Sequence, residues 1–91
     1  MSHYLVERHL PGITESQLGA AAGRAKETTA AMRQEGTPVR YLRSTFTPAE
    51  EKCYCLFEGP SAEAVERAQV RAELPFERIV EARHLSAEDL P

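Results

Sequence analysis

The chain has 91 residues, of which 42% are hydrophobic and 27% charged, a composition typical of one small globular domain rather than of a disordered, collagen-like or membrane-spanning protein. Eleven Lys and Arg residues are dispersed among fourteen Asp and Glu residues, for a net charge of -3, so no basic stripe is present to bind a nucleic-acid backbone. The N-terminal residues lack a secretory pattern, and no apolar run approaches the roughly 20 residues of a membrane span. We therefore expect a cytoplasmic protein with no nucleic-acid or membrane partner.

The first two elements are predicted to be a strand and a helix. Residues 3–9 are rich in strand-forming side chains and stop at a Pro-Gly turn. Thr14 and Gln17 have the spacing of a capping box, which predicts that a helix begins there. Small and apolar residues then recur at steps of three and four, namely Leu18, Ala21, Ala22, Ala25, Thr29 and Met32, and Gly36 ends the pattern. The alanines indicate a helix that lies close to a sheet.

The second half of the chain contains two further strands, a helix and a last strand. Residues 39–46 and 52–58 are predicted to form a hairpin, because the loop between them, residues 47–51, is short. Ser61 is the predicted N-cap of a helix that ends at Leu74-Pro75. Residues 78–85 form the predicted fourth strand. A single domain thus spans residues 1–91, with an ordered core over about 3–85 and a loose polar tail at 86–91.

This order of elements predicts an α+β fold. Strand, helix, strand, strand, helix, strand is the ferredoxin-like βαββαβ arrangement, in which right-handed crossovers give a four-stranded antiparallel sheet in the order 4-1-3-2. Both helices then cover the same face of the sheet, and the other face is left open.

The open face is predicted to be partly apolar. In the third strand Cys53, Cys55 and Phe57 point one way, and Tyr54 and Leu56 point the other. In the first strand Tyr4 and Val6 point to one face and Leu5 to the other. In the second strand Val39 and Tyr41 point to one face, and Leu42 and Phe46 to the other. A second copy packed about 10 Å away would cover such a face, so we expect a homodimer resembling a dimeric α+β barrel. The alternative is that a few exposed aromatic side chains are ordinary surface.

Two polar clusters are predicted at the ends of the sheet. Antiparallel pairing brings His3 toward His84, and His9, with Glu7 on its own face, toward Cys53. Imidazole, carboxylate and thiolate together suit borderline divalent metals such as nickel and zinc, so the candidate metal ligands are Glu7, His9, Cys53 and Cys55. The alternative is that the cysteines are buried small hydrophobes. A disulfide between them is disfavoured, because side chains two apart on a strand are about 6.6 to 6.8 Å apart.

Two further hypotheses concern chemistry and organic ligands. Cys53 with His9 and Glu7 could form a nucleophile, base and orienting group, although no Gly-rich turn supplies an oxyanion hole. A groove between two sheets could instead bind or convert a small organic molecule through Tyr41, Arg43, Tyr54 and Glu81. Three arginines on the strands could bind an anion there, namely Arg8, Arg40 and Arg43. Enzymatic activity is left open by these patterns.

Five segments resemble the small bacterial nickel-binding proteins of a widespread domain family. They are VERHLPG at 6–12, YLRS at 41–44, KCYCLFE at 52–58, PSAEAV at 60–65 and LPFERIVE at 74–81. The resemblance implies a ferredoxin-like protomer, a homodimer and, for at least one branch of the family, nickel bound near the dimer contact. We therefore expect a dimeric nickel-binding protein that serves in nickel sequestration or a metal response. Many relatives also carry a histidine in the second helix before the proline that corresponds to Pro75, whereas residues 67–74 here hold none.

Overall fold

The computed structural model describes all residues from 1 to 91. In chain order the elements are β1 (Ser2–His9), α1 (Glu15–Gln34), β2 (Arg40–Thr47), β3 (Lys52–Gly59), α2 (Ala62–Arg71) and β4 (Arg78–Ala82). The strands form one sheet in the order β2-β3-β1-β4, and every neighbouring pair is antiparallel. The predicted ferredoxin-like fold and strand order are confirmed.

Both helices begin where the sequence predicts. The Thr14 hydroxyl accepts a hydrogen bond from the backbone amide of Gln17 at 3.1 Å, and the Thr14 amide donates to the Gln17 side chain at 3.0 Å. Ser61 accepts from the amide of Ala64 at 3.2 Å. These caps satisfy amide groups that a helix start leaves without partners, which is why local sequence alone locates the two starts.

The second helix ends earlier than predicted, at Arg71 rather than at Leu74-Pro75. The amide of Leu74 donates to the Gln69 carbonyl at 3.0 Å, and the amide of Glu73 donates to the Val70 carbonyl at 3.1 Å. This is a Schellman motif, which needs a left-handed residue after the cap. Glu73 takes that conformation, with φ 56. Since glycine usually occupies this position, the sequence carries no signal for it here.

Replacing Glu73 with Gly is expected to raise the free energy of unfolding by about 0.5 to 1 kcal/mol, because a side chain in the left-handed region is strained. Gly36, with φ 101, occupies the equivalent position after α1. The matched substitution Gly36→Ala should lower stability by about 1 kcal/mol. Urea unfolding midpoints of the two variants measure both effects, and a Glu73→Gly protein less stable than the wild type would contradict the expectation.

The side chains of β1 and β3 are distributed over the two faces of the sheet as the sequence predicts. Tyr4, Val6 and Arg8 lie opposite Phe57, Cys55 and Cys53 on the helix-covered face. Leu5, Glu7 and His9 lie opposite Leu56, Tyr54 and Lys52 on the open face. The helix-covered face holds the main core, in which Val6, Phe57 and Val65 are fully buried.

The second and fourth strands differ from the prediction. A bulge at Leu42 shifts the register between Tyr41 and Arg43, so Phe46 lies on the same side as Tyr41 rather than on the opposite one. The last strand stops at Ala82 instead of residue 85, and its pairing with β1 ends there, opposite His3. Beyond it, Ala87–Asp89 form a short 3-10 turn, and Asp89 accepts hydrogen bonds from Ser86.

The molecule has two layers, with extents of 39 × 34 × 20 Å. The helices cover one face of the sheet, and the face with Leu5, Tyr54 and Leu56 has no helix over it. Neither helix combines the length and the apolar character needed to cross a membrane.

Candidate functional site

A cleft of about 690 Å³ lies between the N-terminal half of α1 and the sheet. Its walls are apolar and include Leu10, Ile13, Leu18 and Leu74. The α1 surface over the cleft consists largely of alanines, among them Ala21 and Ala25. Such short side chains fill little of the space between helix and sheet, so the sequence pattern that predicts close packing also leaves room for a ligand.

Arg8 forms the polar floor of this cleft and is only 3% exposed. Its Nε donates to Cys55 Sγ at 3.3 Å, its Nη2 to the Gln69 side-chain oxygen at 2.6 Å, and its Nη1 to the Pro75 carbonyl at 3.2 Å. No carboxylate accepts from this guanidinium. Because arginine remains charged in proteins, Cys55 is the one acceptor that can ionise to balance the charge.

The two cysteines are neighbours on the same floor. Their Sγ atoms are 3.6 Å apart, and Ser44 Oγ donates to Cys55 Sγ at 3.0 Å. The hydrogen bond from Cys53 lowers the pKa of Cys55 to about 5, with help from Arg8 and Ser44 and against the effect of burial. The same bond, together with burial, raises the pKa of Cys53. These shifts favour a thiolate at Cys55, paired with the guanidinium of Arg8, beside a Cys53 that remains a thiol.

Tyr41 completes the polar floor from the second strand. Its hydroxyl and Ser44 Oγ are 2.7 Å apart, and burial raises the pKa of Tyr41. Two hydroxyl groups in series thus lead to the sulfur of Cys55. Ser44 is thus a second hydrogen-bond donor to Cys55 Sγ besides Arg8.

The predicted metal ligands do not meet within one protomer. Cys53 and Cys55 face the helices, whereas the register places Glu7 and His9 on the open side; His9, at the end of β1, also borders the cleft. Arg8 rather than His9 is directly opposite Cys53, and His9 is opposite the neighbouring Lys52, although His9 and Cys53 both line the cleft. No group of three His, Cys, Asp or Glu side chains is placed to hold a metal ion. Strand side chains alternate between faces, so a one-residue difference in register exchanges the neighbours.

Glu7 and His9 have separate surroundings on the open side. The Glu7 carboxylate accepts a hydrogen bond from Arg78 Nε at 2.7 Å, and its side chain is 12% exposed. His9 is exposed at the end of β1. Because Glu7 is engaged by a guanidinium, the structure does not support it as an orienting group for a His9 base, and the predicted Cys53, His9 and Glu7 nucleophile arrangement is not formed.

The other predicted polar cluster is confirmed. The imidazole rings of His3 and His84 meet edge to face with their centroids 4.6 Å apart. His3 Nε2 also lies 3.7 Å from a carboxylate oxygen of Glu58. Both rings reach solvent at the end of the sheet where β1 begins, because β4 runs antiparallel to β1 and ends beside it.

The residues proposed for an organic-ligand groove are divided between the two faces. Tyr41 lines the cleft under α1, and Glu81, opposite Tyr4, lies on the helix-covered side. Arg43 and Tyr54 lie on the open side, opposite Leu56 and Glu7. The bulge at Leu42 separates Tyr41 from Arg43, so these four side chains do not form one groove in a protomer.

Sequence patterns miss the roles of two residues of the cleft floor, Arg8 and Ser44, and of Gln69, which holds Arg8. Arg8 is predicted as a groove cation, but it shares its side of β1 with Tyr4 and Val6 and is buried with them. Gln69 is 1% exposed and keeps Arg8 in place, while its own amide donates to the Val65 carbonyl at 2.9 Å. The alternation of side chains along β1 could have predicted that Arg8 is buried. No sequence pattern could have placed Ser44, because the bulge in β2 decides which face of the sheet its side chain is on.

Comparison with known proteins identifies the family. The pattern described as nickel responsive protein SCO4226-like matches residues 4–82. This chain belongs to that family. The crystal structure of SCO4226 from Streptomyces coelicolor A3(2) is similar at a TM-score of 0.75 with 34% sequence identity, covering 93% of this chain and 100% of that one. None of the curated proteins compared matches this chain. The predicted resemblance to a small bacterial nickel-associated family is confirmed.

Proposed function

We propose that this member of the SCO4226-like family is a homodimer that binds nickel and serves in nickel sequestration or a nickel response. The observation that carries the proposal is the His3–His84 pair, whose rings lie 4.6 Å apart at the surface of a chain in a nickel responsive family. Imidazole nitrogens are suitable nickel ligands, and two neighbouring rings can turn toward the same ion.

One protomer supplies too few ligands for a closed site. No three side chains in it are placed to hold a metal ion, so the remaining coordination positions must be filled by water or by a second copy. The donor chemistry of His3 and His84 fits nickel in this shared arrangement. Glu7 and His9 are the second candidate pair, because they too project from the open side of the sheet. Cys53 and Cys55 lie on the other side and are left out of this assignment.

The open face supports a second copy as the partner. Leu5, Tyr54, Leu56 and Val80 share this face, and no helix covers them. A twofold axis would pack this surface against itself, with two sheets about 10 Å apart. The same axis would bring the candidate metal ligands on the open faces of both copies to one interface. Sedimentation of a well-folded single protomer at micromolar concentration would contradict the dimer.

The nickel proposal predicts that variants of the histidines lose nickel affinity and that a variant of a cysteine on the helix-covered face does not. Replacing His3 and His84 together by Ala should lower nickel affinity at least about tenfold, because it removes both imidazole ligands. His9→Ala should give a smaller loss. Equilibrium dialysis of tag-free protein, followed by metal analysis, measures these changes.

The matched control is Cys53→Ala, which changes a side chain on the opposite face and leaves Cys55 paired with Arg8. It should retain the wild-type nickel affinity. Undiminished nickel binding by the His3 and His84 variant would remove these residues from the proposal. Loss of nickel from the cysteine variant alone would place the metal in the cleft and overturn the assignment.

A further inference from the structure

We propose that the cleft under α1 is a second site, separate from nickel binding, in which an organic hydroperoxide oxidises Cys55 to a sulfenate that stays paired with Arg8. The site consists of Cys55, the donors Arg8 and Ser44, the neighbouring thiol of Cys53 and the apolar walls of the cleft.

The ionised state of Cys55 follows from charge balance around Arg8. An uncompensated buried charge costs several kcal/mol, so buried guanidinium groups are paired with anions. Arg8 is 3% exposed, and its other two acceptors, the Gln69 amide and the Pro75 carbonyl, are neutral. Cys55 therefore supplies the counter-charge, and a thiolate is the form of cysteine that attacks electrophiles.

The reaction needs no group that the cleft lacks. The thiolate sulfur of Cys55 attacks the terminal oxygen of the hydroperoxide, so an S–O bond forms and the O–O bond breaks. The leaving alkoxide takes the proton of the transferred OH group. The products are the Cys55 sulfenate and an alcohol, with the sulfur oxidised by two electrons and the hydroperoxide reduced by two.

Oxidation suits this cleft better than alkylation does, because of the charge on the product. A thioether is neutral and would leave Arg8 buried without an anion. A sulfenate keeps a negative charge beside the guanidinium. Cysteine oxidation to the sulfenic level is also reversible by thiols, which makes it suitable for a repeatable response.

The shape of the cleft selects the class of peroxide. Cys55 is 5% exposed, so a reactant must reach it through a space whose walls include Leu10, Ile13 and Leu18. Burial of apolar surface there favours a hydroperoxide with a hydrocarbon body over hydrogen peroxide. The sulfenate should persist although the two sulfurs are 3.6 Å apart. Side chains two residues apart on a strand start about 6.6 to 6.8 Å from each other, whereas a disulfide needs Cβ atoms about 3.8 Å apart.

The test is a reaction of the reduced, metal-free protein with cumene hydroperoxide at neutral pH. A cyclic 1,3-diketone traps the sulfenate, and peptide mass spectrometry finds the labelled cysteine. We expect label on Cys55 rather than Cys53, formed roughly tenfold faster than on free cysteine at the same pH. Label absent from Cys55, or formed no faster than on free cysteine, would overturn the proposal. Because nickel is removed by a chelator, the result does not depend on nickel binding.

A cleft-filling variant separates the organic reactant from hydrogen peroxide. Ala21→Leu narrows the cleft without touching the polar floor, so it should slow the cumene hydroperoxide reaction at least fivefold and leave the hydrogen peroxide rate nearly unchanged. Ala30→Leu, on the same helix outside the cleft, is the matched control and should react as the wild type does. Equal slowing of both peroxides, or a faster wild-type reaction with hydrogen peroxide than with cumene hydroperoxide, would refute the selection of an organic body.

Discussion

Replacing Arg8 with Met is expected to move the titration of Cys55 from about pH 5 toward the ordinary thiol range of about 8 to 9. The guanidinium is the only full positive charge bonded to this sulfur, and without it a buried thiolate is disfavoured by desolvation. The ultraviolet absorbance of the thiolate, followed against pH in wild type and variant, measures both midpoints. Cys55→Ser provides the baseline, because it removes the titrating group from the same position.

The same ion pair makes stability depend on pH. The pKa of Cys55 is lowered to about 5 in the folded state, so its contribution is complete above the unfolded pKa and disappears as the pH falls through the folded one. The difference in unfolding free energy between wild type and Cys55→Ser should therefore decline from about pH 8.5 to 5, and be on the order of 2 kcal/mol at pH 7. The raised pKa of Cys53 lowers the stability of the fold only at pH values above the pKa of this thiol in the unfolded chain. A difference that stays constant with pH would contradict this linkage.

The groups that face Cys55 come from several elements. Arg8 approaches from β1, Tyr41 and Ser44 approach from β2, and Cys53 is on its own strand. Arg24 of α1 also lines the cleft and donates to the Ala72 carbonyl at 3.1 Å. The pH-dependent part of the difference between wild type and Cys55→Ser is assigned to Cys55, because that is the titrating group the substitution removes.

Phe57→Ala is expected to lower the free energy of unfolding by about 3 to 5 kcal/mol, because it leaves a cavity in the middle of the core. Phe57 is fully buried on β3, and its ring centroid lies 5.4 Å from that of Tyr41. A loss of this size is a large part of the total stability of a small domain, which is about 5 to 15 kcal/mol. Urea unfolding followed by circular dichroism measures it.

The control for the core prediction is a large side chain at the surface. Leu90 is 56% exposed near the C-terminus, and Leu90→Ala should change the unfolding free energy by no more than about 0.5 kcal/mol. The loss of unfolding free energy in Phe57→Leu should lie between the losses in Phe57→Ala and Leu90→Ala, since this substitution removes less volume than Phe57→Ala does. A Phe57→Ala protein as stable as the wild type would show that the sheet–helix core does not depend on this ring.

Much of the candidate site depends on contacts that local patterns do not specify. The sequence predicts that Cys53 and Cys55 share a face, because strand side chains repeat every two residues. It also predicts the meeting of His3 and His84, because the ends of antiparallel neighbours coincide. It does not fix which residue lies directly opposite Cys53, since the register between β1 and β3 decides that it is Arg8. The cleft itself depends on how far α1 stands from the sheet.

The sequence by itself determined the order of elements, the helix starts at Thr14 and Ser61, and the two-sided character of β1 and β3. These features follow from interactions between residues close in the chain, such as caps and alternation. Only the tertiary structure decided that Arg8 is buried against Cys55 and Gln69, and that the bulge at Leu42 turns Ser44 toward them. The physical reason is that register and burial depend on contacts between distant residues, and a shift of one position exchanges every side chain between the two faces.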